Sequence, residues 1–120
     1  MKSFSIFLIV TLIFVSDFVF SQSFYSDNPL VATYSIVARD LETGEMGVAV
    51  QSHWFSVGSI VSWGEAGVGV IATQSFVNPA FGPYGLELLK SGMTASEVVD
   101  KLIAEDEGRD VRQLAIIDVN

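Results

Sequence analysis

The polar groups of this 120-residue chain that could do chemistry fall in a few short stretches. Gln74, Ser75 and Asn78 follow an apolar run and precede a helical pattern. Strand ends beside helix N-termini are common binding positions, and side-chain amides there can donate to a developing oxyanion. The competing reading is loop architecture, because Asn78-Pro79 is a turn signal. Thr33 and Ser35 lie at the head of another strand-like run. Their spacing puts both on one strand face, where Ser35 can support the Thr33 hydroxyl by a hydrogen bond; the competing reading is two ordinary strand residues, Thr being a favoured strand former. Arg39 and Asp40 close that run. As a pair near Thr33 they could serve a site, but neighbours on a strand point to opposite faces, which favours a turn-capping role. His53 is the only histidine, so a Ser-His-Asp site would have to use it. There is no Gly-x-Ser-x-Gly elbow, and His53 reads as an exposed or hydrogen-bonded strand end.

Composition removes several classes of chemistry. Without cysteine there is no disulfide, thiol nucleophile or thiolate metal site. One histidine and no cysteine cannot furnish the usual zinc ligands. Glu105, Asp106, Glu107 and Asp110 form an acidic cluster, but calcium wants more widely spaced oxygen ligands around a tight loop, so the cluster reads as a solvated face. No metal or cofactor is expected. The net charge of −8 repels phosphate backbones, which argues against nucleic acid and anionic membranes as partners. Trp54, Phe55, Trp63, Phe76, Phe81 and Tyr84 read as core or subunit-contact aromatics, and a homo-oligomer is one expectation they raise.

The elements that must position these groups are legible from periodicity. Thr33 to Asp40 and Met46 to His53 read as strands joined by a turn in which Gly44 is free to take a positive φ. Ser59 to Trp63 reads as a short strand. Gly67 to Gln74 is apolar on both alternations, the mark of a strand covered on both faces, and Leu114 to Val119 shows the same pattern. A helix is expected over Pro83 to Leu89, with Pro in its first turn and Gly92 past its end. A second opens on the capping box Thr94-Ala95-Ser96-Glu97, carries Val98, Leu102 and Val99, Ile103 on one face, pairs Glu97 with Lys101, and stops at Gly108. Helices then cover one face of a sheet and a second sheet covers the other. This predicts a four-layer α/β/β/α sandwich, incomplete in this chain, with the domain continuing beyond Asn120.

Ahead of these elements, Met1-Lys2 and the apolar run Phe4 to Phe20 precede Val19-Phe20-Ser21, the layout of a cleavable secretion signal over residues 1–21. The alternative is a membrane anchor, but the ten residues from Ile6 to Val15 fall short of the roughly 20 a span needs. Export to the periplasm or the exterior is expected, with no stable span after signal removal. Residues 22–32 read as a leader, and residues 33–120 as the first half of a domain.

Four spaced segments resemble one family. They are Thr33-Tyr34-Ser35-Ile36-Val37-Ala38-Arg39-Asp40, Gly47-Val48-Ala49-Val50-Gln51-Ser52, the run Gly67 to Ser75 leading to Asn78-Pro79, and Gly82-Pro83-Tyr84-Gly85-Leu86 followed by Gly108-Arg109-Asp110 and Arg112-Gln113. Together they resemble the domain of unknown function 1028 family, which has an N-terminal-nucleophile (Ntn) hydrolase-like fold. His53 departs from the Lys or Arg often found there. The resemblance implies a fold whose members mostly cleave amides, and a peptide, small-molecule or cell-wall amide as substrate. In such hydrolases an N-terminal Thr attacks the carbonyl while its own α-amine, with an ordinary pKa of about 8, takes the proton. For Thr33 this requires the Ala32–Thr33 bond to be broken. The other function open on the same scaffold is a non-catalytic binding or assembly module.

Overall fold

The computed structural model describes residues 32–120; the expected signal and all of the leader except Ala32 lie outside the described residues. The element order is β1 (Thr33–Arg39), β2 (Met46–Ser52), α1 (Gly58–Val61), β3 (Ser62–Glu65), β4 (Gly69–Ser75), α2 (Phe81–Lys90), α3 (Ala95–Ala104), a 3₁₀ turn (Arg109–Val111) and β5 (Arg112–Asp118). Among the described residues the fold is mixed α+β, with two small antiparallel sheets and three helices.

β1 and β2 form a hairpin in which Arg39 faces Met46 and Thr33 faces Ser52. The turn between them sets that register. Asp40 Oδ1 accepts from the N–H groups of Glu42 and Thr43 at 2.7 and 3.0 Å, and Gly44 takes φ 74°, where a side chain would be strained. Asp40 thus has the turn-capping role its position suggests. The alternation of the hairpin is regular. Thr33, Ser35, Val37 and Arg39 are half-buried on one face, while Tyr34, Ile36 and Ala38 are exposed on the other.

The second sheet has the order β3-β4-β5. β4 is its central strand, and Gly69 to Thr73 are all buried. The helices cover one face, where Ile71 joins Phe81, Leu86, Leu89, Val98 and Leu102 in the main core. Gly82 and Gly85 let α2 lie close against that face: a Cβ on Gly85 would come within 2.6 Å of Ile71 Cδ1, and one on Gly82 would overlap the Trp63 indole. The hairpin packs on the opposite face of β4. Burial of β4 on both sides therefore follows the reading of its continuous apolar run.

Several expectations need correction. Residues 58–61 form a helical turn, with the N–H of Val61 donating to Val57 O at 2.9 Å; Gly58 and Ser59 suit a turn better than a strand start, so β3 begins at Ser62. β5 is not covered like β4. Gln113 and Ala115 are exposed, because a two-stranded hairpin is too narrow to roof all three strands. α3 ends at Ala104, before Gly108. Its capping box forms as expected, with Thr94 Oγ1 accepting from the Glu97 N–H at 3.3 Å and Glu97 Oε2 accepting from the Thr94 N–H at 2.8 Å. That engagement turns Glu97 toward the N-terminus, and Lys101 pairs instead with Glu105 at 2.6 Å.

Candidate functional site

The end of the layers where Thr33 lies gathers hydroxyls, amides and two cavities. Thr33 opens β1, and cross-strand register puts Ser52 opposite it. Their hydroxyl oxygens are 2.8 Å apart, and Ser52 Oγ also accepts from the Trp54 N–H at 3.1 Å. Either hydroxyl can be the donor in the Thr33–Ser52 contact.

β4 brings Gln74 to the same place from below. Gln74 points to the hairpin side of the sheet, where its Nε2 donates to the Thr33 carbonyl at 3.2 Å and to Gln113 Oε1 at 2.6 Å. Both amide hydrogens are therefore committed. Gln74 is a clamp on the Thr33 backbone, and the oxyanion-donor role expected of it does not fit. Its Oε1, by contrast, is buried with no hydrogen-bond partner, an acceptor awaiting a donor.

Ser75 ends β4 beside this group and sits at φ 72°, a left-handed conformation that a non-glycine residue adopts at an energetic cost. Its position is held by the neighbouring N–H of Phe76, which donates to Val111 O at 3.3 Å, and by Arg112, whose Nη1 donates to Phe76 O. Arg112 is in turn fixed by Asp106, with Nε 2.6 Å from Oδ2. Asp106 thus leaves the acidic cluster for a half-buried ion pair. The Arg112 guanidinium, helped by the Gly108 N–H, holds its carboxyl below the ordinary carboxylate value; Glu105, Glu107 and Asp110 stay exposed.

Two cavities meet at Thr33. One, of about 670 Å³, is lined by Ala32, His53, Phe76 and Gln113; the other, of about 310 Å³, has Gln74 in its wall; Thr33, Trp54 and Ser75 line both. Ser35 shares the Thr33 face of β1, one alternation further in. The other candidates lie elsewhere. Arg39 is at the far end of β1, about 20 Å along the strand, and donates to the carbonyls of Asp118 and Asn120 at 3.4 and 2.9 Å. Asn78 braces the turn ahead of α2, its Oδ1 accepting from the Ala80 N–H at 3.2 Å, and lines a separate cavity with Tyr84 and Asp106. Thr33, Gln74 and Ser75 are thus brought together, and Arg39 and Asn78 are not; Ser35 lines neither cavity, and the hydrogen bond to the Thr33 hydroxyl expected of it is made by Ser52 instead.

Sequence reasoning missed Ser52 and Gln113 as neighbours of Thr33. Ser52 was recoverable: once the turn pairs Arg39 with Met46, counting back six residues lands Thr33 on Ser52. Gln113 needed the pairing of β4 with β5, which local pattern does not encode.

The fold and this polar end together define a small mixed α+β domain with a hydroxyl–amide cluster at the edge of its layers. Residues 33–120 match the Family of unknown function (DUF1028), and the chain belongs to that family. It is similar to protein SPO2555 from Silicibacter pomeroyi, a member of the same family whose crystal structure is 34% identical with a TM-score of 0.68 over 72% of this chain and 41% of that one. The chain therefore spans less than half the length of that relative. No curated protein matches it.

Proposed function

We propose that the protein is an exported Ntn-type amidohydrolase in which Thr33, freed by cleavage of the Ala32–Thr33 bond, is the nucleophile. In this reading the described layers are half of a four-layer α/β/β/α sandwich. The observation that carries it is the setting of Thr33: at the meeting of two cavities, its hydroxyl 2.8 Å from Ser52 Oγ and its carbonyl held by Gln74. The family match also opens at this residue.

The chemistry balances without a cofactor. Thr33 Oγ1 attacks the amide carbonyl and the α-amine of the same residue takes the hydroxyl proton. The proton passes to the leaving amine as the C–N bond breaks, leaving an ester on Thr33. Water, deprotonated by the same α-amine, then cleaves the ester and restores the hydroxyl. Ser52 orients Oγ1, and Gln74 fixes the backbone so that the attack angle does not drift; such positioning is a large part of enzymatic rate. Peptide or cell-wall amides are the proposed substrates.

The test is amidase activity of the processed protein against a peptide library. Thr33→Ala abolishes activity and Thr33→Ser retains part of it; full activity in Thr33→Ala overturns the reading. The second reading, a non-catalytic assembly module, is favoured by Tyr34 and Ile36, 65% and 62% exposed on the outer hairpin face. It predicts a homo-oligomer with Thr33 still acylated, and light scattering measures that state.

A further inference from the structure

The cavity of about 310 Å³ beside Thr33 is chemically one-sided. Apart from the polar edge formed by Thr33, Gln74 and Ser75, its lining is Trp54, Phe55, Val57, Ile60, Val61 and Val77. None of these carries charge. Its volume is at the small end of the range for ligand pockets, which are mostly apolar with a few convergent polar groups. Phe55 and Trp54 stand at its rim, 98% and 68% exposed, while Val61 forms a buried part of its wall. Aromatics so open to water at the mouth of an apolar hollow gain by being covered.

The second observation is independent of the apolar lining. The cavity's polar edge carries Thr33, whose hydroxyl lies 2.8 Å from Ser52 Oγ and which lines both cavities. An amide held at Thr33 therefore has this hollow directly beside it. A cation in the hollow would have to be desolvated among apolar side chains.

We infer that this cavity is the subsite for an apolar side chain of an amide ligand held at Thr33. The assignment rests on the reading of the Thr33 site as an amide-binding site but does not require Thr33 to be a nucleophile. It gives the site a preference: leucine-like or phenylalanine-like groups beside the bound amide, with acidic and basic side chains excluded.

Intrinsic tryptophan fluorescence reads this directly. Trp54 is exposed, whereas the Trp63 indole donates to Ile60 O at 3.2 Å and packs against Gly82. Titrating the protein as its host makes it with N-acetyl-leucinamide and N-acetyl-phenylalaninamide is expected to shift Trp54 emission to the blue, saturably. The lysine and glutamate counterparts bind at least tenfold more weakly. Ile60→Asp at the cavity edge, and separately Val57→Ser, weaken the apolar amides about tenfold while circular dichroism stays native. Cleavage of the same amides is followed by chromatography in the same samples; a saturable shift with no cleavage upholds the subsite while counting against the nucleophile, so the two failures are told apart. No saturable response to any probe, equal affinity for charged and apolar amides, or an unchanged response in a folded Ile60→Asp overturns the inference. A Trp54 already shielded in the resting protein, by a second copy or another part of the chain, overturns it as well.

Discussion

Thr33 Oγ1 and Ser52 Oγ are 2.8 Å apart, and neither hydroxyl is basic enough to deprotonate the other. His53 lines the larger cavity with its ring tilted against Trp54 at a centroid distance of 5.0 Å, and the Thr33 hydroxyl bonds to Ser52 rather than to it. The α-amine that cleavage of Ala32–Thr33 would create is the base the arrangement lacks. Ser75 makes a separate prediction. Its φ of 72° strains an L-residue by about 1 kcal/mol. Ser75→Gly is therefore expected to raise the melting temperature, or at worst leave it unchanged, even though it removes a site hydroxyl. A clear fall in stability on denaturant unfolding would mean that the Ser75 side chain holds the strand end through a contact worth more than the strain.

Among the elements, α2 and β4 are matched through glycine. Gly82→Ala would drive a Cβ into the Trp63 indole, and Gly85→Ala would bring one within 2.6 Å of Ile71 Cδ1. Overpacking of this kind destabilises by about 1–3 kcal/mol, and chemical denaturation of Gly82→Ala is expected to show it. The loop joining α3 to β5 is braced by Asp106 and Arg112. The Asp106 carboxyl is depressed by the guanidinium, so the folded state binds its proton less readily than the unfolded chain. The stabilisation is complete above the unfolded value of 3.8 and is lost as pH falls through the lower folded value. Asp106→Asn is thus expected to lower the melting temperature near neutral pH and to make little difference at about pH 2; an equal loss at both pH values would contradict the ion-pair account. The capping box and the double burial of β4 were legible because each is written in neighbouring residues. The pairing of Lys101 with Glu105 rather than Glu97 was not, because two acidic residues lay within its helical reach and the cap decided between them. Arg39 misled for a different reason. Nearness to Thr33 in sequence became a strand's length in space once the run extended.

Over the whole domain, the helices and the hairpin sandwich one central strand. This much followed from an apolar run without alternation, two amphipathic patterns and a turn. The site was half legible: Thr33, Gln74 and Ser75 converge, and their types alone had marked them. What local pattern could not give was the partner set, because Ser52 and Gln113 arrive through hairpin register and through β4–β5 pairing across 39 residues of chain. In the four-layer arrangement proposed above, the outer hairpin face, with Tyr34 and Ile36 open, and the exposed side of β5 are the surfaces a further layer would cover.

The hydrolase reading depends above all on what precedes Thr33 in the mature protein. Intact mass and N-terminal sequencing of the protein recovered from its host's exported fraction measure this. The account predicts a chain that begins at Thr33, with a free α-amine beside the Thr33–Ser52 hydroxyl pair. A mature chain that begins at Gln22 and keeps the Ala32–Thr33 bond intact would contradict it, because Thr33 would then carry no base of its own.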